Sequence, residues 1–169
     1  MLEEILQLAP SIVSYSSVIH NGLKIPELQP LPISFTPPRL LCIGRLVPQK
    51  GFDLAIKAIR SLTKEYPRIK MIIAGEGPIR AELEQLTIDL ELSQSVEFLG
   101  VVDPEMIPEL INNSTIVIMP SRYESFGLVA LQTAQMERPI VATRIGGLPE
   151  IILNNKTGLL VEKKTSKVL

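Results

Sequence analysis

Residues 115–135 read TIVIMPSRYESFGLVALQTAQ. The apolar, β-branched run 115–119 has the composition of a buried strand, the polar stretch after it holds one acid, Glu124, and from Gly127 onward the pattern turns helical. A strand that hands over to a helix through a short loop is the repeating unit of a parallel sheet covered by helices. Whether Glu124 and Gln132, eight residues apart, are two ends of a ligand site or only a turn and a helix surface depends on what lies on either side.

The same handover recurs along the chain. Strands are expected near 39–44 (RLLCIG), 69–74 (IKMIIA), 95–99 (SVEFL), 139–143 (PIVAT) and 157–161 (TGLLV), and helices near 52–65, 78–90, 104–112, 127–137 and 148–154. In the first helix Leu54, Ala55, Ala58, Ile59 and Leu62 share one face, with Lys57, Arg60 and Lys64 away from it. The second has Pro78 at its first position and a stripe of Ile79, Leu83, Leu86 and Leu90. These stripes belong to a core. The fold class that follows is α/β, a parallel sheet of about six strands with helices on both faces.

Upstream of the first strand, Pro26, Pro30, Pro32, Pro37 and Pro38 predict an extended segment over 26–38, and residues 1–38 together read as a linking segment ahead of a domain spanning 39–169. Residues 1–9 could form a short helix, and 16–19 a short strand running into the turn HNG.

Bulk properties narrow the function. A chain of 169 residues, 46% hydrophobic and 21% charged, is long enough for one well-buried core. Its formal net charge of -1 gives no overall attraction to nucleic acid, so any anion site is local. The lone Cys42, inside RLLCIGRL, is expected to be a buried, unreactive thiol, which suits a cytoplasmic protein, and one His with one Cys is too few for a metal cluster. No apolar run reaches the length of a membrane span, which predicts a soluble chain.

In an open α/β sheet ligands bind beyond the carboxyl ends of the strands, so the loops after strands carry the chemistry. After the first strand, GRLVPQKG places Arg45 and Lys50 around a tight loop ending at a helix start, a combination suited to a diphosphate. After the second, GEGP begins like the dinucleotide fingerprint, but Arg80 stands where its third glycine belongs; Gly75 and Gly77 read equally well as a plain turn. After the fourth, the first-turn amides from Phe126 to Val129 have no intrahelical acceptors, and Glu124 is either part of a ligand site or a helix cap. Gly146 and Gly147 follow the fifth strand. Leu128, Gln132 and Gln135 lie on a common side of their helix, so spacing alone leaves Gln132 facing either a ligand or water.

Taken in order, GRLVPQKG, AGEGP, VEFLG, PSRYESFGLVALQTAQ and PIVATRIGGLPEII resemble the C-terminal, donor-binding domain of the retaining glycosyltransferases of the group that includes glycogen and sucrose-phosphate synthases, over residues 39–161. VIHNGL, residues 18–23, is similar to the segment joining the two domains of that group. The resemblance implies a Rossmann-like domain forming one half of a GT-B fold, with a nucleotide-sugar as substrate and neither metal nor other cofactor. It implies that Arg45 and Lys50 grip the diphosphate beside Gly44 and that Glu124 contacts the transferred sugar. Ser125, Phe126, Gly127, Leu128 and Val129 would serve sugar and phosphate, and Val101 would border the base.

The group carries a pair of glutamates with seven residues between them, and here Gln132 takes the second place. Gln132 can still hydrogen-bond a ribose but is not an anionic acceptor. The resemblance also implies an N-terminal acceptor-binding domain and a C-terminal helix that this chain lacks. The expected function is donor binding within a metal-independent, retaining glycosyltransferase, with little transfer by the isolated chain. Membrane association of the full-length protein stays open, as does a non-catalytic nucleotide-sugar-binding or regulatory module of the same fold.

Overall fold

The computed structural model describes residues 7–17, 19 and 21–162. Six strands, β1 (Arg39–Ile43), β2 (Lys70–Ala74), β3 (Val96–Gly100), β4 (Ile116–Met119), β5 (Ile140–Thr143) and β6 (Gly158–Val161), form one sheet in the order β3-β2-β1-β4-β5-β6. All neighbouring pairs are parallel. Each strand lies within a residue of its predicted position.

Alternation along the strands sorts the core into two layers. Leu40 and Cys42 of β1 and Met71 and Ile73 of β2 face α1 (Phe52–Glu65) and α2 (Arg80–Asp89), through Phe52, Ile56, Ile59 and Leu83. Leu41, Val117, Met119 and Ala142 face the opposite layer, formed by α3 (Ile107–Asn112), α4 (Leu128–Gln135) and α5 (Leu148–Ile151). Cys42 is fully buried, and burial pushes its thiol up to about 12, as expected of an unreactive core cysteine.

Several predicted details shift. On α1 the buried line is Phe52, Ala55, Ile56 and Ile59, while Leu54 and Ala58 are exposed, because the bulkier Phe52 and Ile56 take the core-facing line. Helix α2 starts at Arg80 rather than Pro78, since Arg80 N donates to Gly77 O in a preceding turn. The segment 104–112 is a short 3₁₀ turn capped by Asp103, followed by α3. Helix α4 ends at Gln135, and α5 ends at Ile151 because Ile152 is already extended.

At the amino-terminal side a 3₁₀ turn covers Pro10–Tyr15, and Ser16, Ser17 and Ile19 form no strand. Most of the helix expected over 1–9, together with Val18 and His20, lies outside the described residues. The proline-rich stretch 26–38 holds neither helix nor strand. It is nevertheless fastened to the domain. Leu31 N donates to Asn112 Oδ1 (2.8 Å), Asn112 Nδ2 donates to Gln29 O (2.9 Å), and Thr115 Oγ1 donates to Ser34 O (2.6 Å). Buried Arg138 donates to Leu31 O (2.6 Å), Met136 O (3.1 Å) and both oxygens of Asn112. These contacts sit at the amino ends of β4 and β5, opposite the loops that follow the strands.

Candidate functional site

Strand order fixes where a site can form. The chain winds from β1 outward through β2 to β3, then returns to lay β4 on the other side of β1. Between β1 and β4 the connections diverge, and a crevice opens there beyond the strand ends. Its two walls are the β1 loop, residues 44–51, and the β4 loop, residues 120–127.

The loops lock together through the backbone. Arg122 N and Tyr123 N both donate to Gln49 O, at 2.7 and 3.2 Å. Gly51 is left-handed (φ 67°), and a Cβ there would fall 2.1 Å from Pro120 O, so only glycine permits this approach. Beneath them, Leu46 N donates to Glu76 O (2.8 Å), so the GEG segment supports the β1 loop.

Lys50 and Glu124 meet across this seam. Lys50 Nζ donates to Glu124 Oε2 at 2.7 Å, with the side chains 25% and 10% exposed, and buried Ser121 Oγ donates to the same oxygen at 3.5 Å. Helix α4 is capped by Gly127 without any side-chain cap, so Glu124 is not serving as one. Together with Arg45, Val47, Gln49, Tyr123 and Ser125, the pair lines an open pocket of about 330 Å³. From the other side Gly146 (φ 53°) lies against the carbonyl of Glu124, where a Cβ would come within 1.6 Å of the oxygen.

The structure thus gathers Arg45, Lys50, Glu124 and Ser125 around one pocket, with Gly44 at the base of the β1 loop. Gly127, Leu128 and Val129 begin α4 directly after that loop, and Val129 packs into the core beneath it. Phe126 is half-buried ahead of them. Val101 is exposed at the end of β3, two strands away from β1. Gln132 lines a different cleft of about 670 Å³, between α3, α4 and residues 23–28. Among the described residues no group of three His, Cys, Asp or Glu side chains is placed to hold a metal ion, and no helix is long and apolar enough to cross a membrane.

One feature of the seam was not foreseen from sequence. Arg122 forms a two-bond pair with Asp53, Nη1 to Oδ1 at 2.7 Å and Nη2 to Oδ2 at 2.8 Å, and Nη1 also donates to Pro48 O at 3.0 Å. The Arg122 guanidinium holds the Asp53 carboxyl below the usual carboxylate range, with a smaller contribution from Lys57. Both residues border a groove of about 760 Å³ between α1 and α2. Chemically, the pocket offers two cations to an anion, with a carboxylate beside them that can accept from hydroxyl groups.

Comparison with known proteins gives the family. The sequence profile of the family described as Glycosyl transferases group 1 matches residues 26–169. Alpha-D-kanosaminyltransferase of Streptomyces kanamyceticus is 36% identical over 124 residues, covering 73% of this chain and 32% of that protein. Among solved structures, a variant of S. aureus TarM in complex with Fondaparinux, alpha-GlcNAc-glycerol and UDP superposes with a TM-score of 0.80 at 27% identity, over 92% of this chain and 32% of that one. The C-terminal domain of a group 1 glycosyl transferase (LpcC) from Francisella tularensis gives a TM-score of 0.69 at 31% identity, over 76% of this chain and 69% of that one. The chain spans about a third of the length of the curated relatives it matches.

Proposed function

Because this chain belongs to the glycosyl transferases group 1 family, we propose that it is the part of a retaining, metal-independent glycosyltransferase that binds the nucleoside diphosphate sugar. The observation that carries the reading is the Lys50–Glu124 pair at the crevice between β1 and β4, with Arg45 on the same pocket. UDP in the TarM complex supports a uridine diphosphate as the first ligand to try. In this reading Lys50 and Arg45 face the diphosphate, and the α4 amides supply further donors to it. Glu124 accepts hydrogen bonds from hydroxyls of the sugar. Transfer leaves negative charge on the departing diphosphate, and fixed cations stabilise that charge most where it develops. Transfer to an acceptor belongs to the whole protein, and this chain alone binds donor and transfers little.

Calorimetric titration of the chain with UDP-, GDP- and ADP-sugars tests the reading. One of them is expected to bind, with affinity reduced at least about tenfold in Lys50→Ala through loss of a charge-assisted contact. Binding of none of them, or equal binding by the variant, would sink the proposal.

A further inference from the structure

Resting on the function proposed above, we infer that Asp53 and Arg122 are positioning residues for the nucleotide-sugar site, a clamp that sets Lys50 and Glu124 in register. Lys50 and Glu124 come from loops 74 residues apart, and a shift of about an ångström in either loop changes how the two groups jointly face a ligand. Asp53 stands three positions after Lys50, in the first turn of α1, and Arg122 two positions before Glu124. The two bonds between them, with the third from Arg122 to Pro48 O, join the start of α1, the 3₁₀ turn Pro48–Lys50 and the β4 loop through one planar group.

The clamp stands behind the reacting groups rather than among them. Asp53 and Arg122 line the groove between α1 and α2, whereas Lys50 and Glu124 line the pocket over the crevice. The bonds to Gln49 O and the close approach of Gly51 to Pro120 O tie the same two loops through main chain alone. The forked guanidinium contact adds a side-chain tie of fixed, planar geometry. Lys57 Nζ, 3.3 Å from Asp53 Oδ2, is the other cation at this carboxylate; it lies on α1 itself and crosses no seam.

The test uses UDP as probe on the wild-type chain and on Arg122→Met, the near-isosteric Asp53→Asn, the exchange Asp53→Arg/Arg122→Asp, and Lys50→Ala. Calorimetry measures the Kd, and amide hydrogen exchange on the ligand-free chain reads residues 48–51 and 121–124. Arg122→Met and Asp53→Asn are expected to weaken UDP about tenfold, with exchange faster in both loops and unchanged in β1 and β2, and the exchanged pair recovers part of the loss. UDP affinity unchanged in both single variants, or loss only in step with faster exchange through the whole sheet, would overturn the clamp while leaving Lys50→Ala defective. No UDP binding by the wild-type chain would overturn the clamp together with the function it serves.

Discussion

Lys50 and Glu124 neutralise each other, and under the function proposed above a diphosphate would have to draw Lys50 Nζ away from a carboxylate 2.7 Å off whose side chain is only 10% exposed. A ligand that also carries a sugar gives the carboxylate hydroxyl donors in exchange, whereas UDP alone leaves it uncompensated near the phosphates. Glu124→Gln is therefore expected to strengthen UDP binding and weaken the added contribution of the sugar, so that the preference for the bound UDP-sugar over UDP falls about tenfold with loss of the charge-assisted bonds. Paired titrations of both ligands measure that ratio. An unchanged ratio would remove Glu124 from the sugar's contacts.

At the scale of elements, the loops depend on backbone packing as much as on side chains. In Gly146→Ala the methyl would meet the Glu124 carbonyl, and the left-handed conformation adds strain, for a loss of about 2 kcal/mol or more. Thermal unfolding should register this as a Tm lower by about 4 °C or more in a chain of this size, and a Tm within a degree of wild type would contradict it. The strands were legible because β-branched apolar runs at regular intervals have few other uses, and the layers followed from alternation. Helix faces were less so: on α1, spacing admitted Leu54 and Ala58 as well as Phe52 and Ile56, and side-chain volume against the sheet decided between them. Lys50 and Glu124 stood out as candidates because each lies in a loop that leads into a helix through glycine, Gly51 and Gly127. The Asp53–Arg122 clamp was not, since it needs β4 to lie beside β1, and no local pattern encodes strand order.

Across the whole molecule, the end of the sheet opposite the site is closed by Arg138, whose guanidinium holds residue 31 of the proline-rich segment to Asn112 of α3. Arg138→Met would leave the backbone carbonyls of Asn112 and Met136 without this donor, at a cost of about 2 kcal/mol. Denaturant unfolding should show it as a lower midpoint, accompanied by faster amide exchange at Leu31, whose N–H bonds Asn112 Oδ1; an unchanged midpoint would show that water replaces the guanidinium without loss. The position of the site has a consequence for folding. Its halves are brought together only by pairing β4 with β1 across the intervening β2 and β3 wing, a contact formed after a long loop has closed. No fragment holding one half can therefore carry the pocket. Under the function proposed above, nucleotide binding would be linked to the pairing of β4 with β1, so bound ligand would protect residues far from the pocket against unfolding.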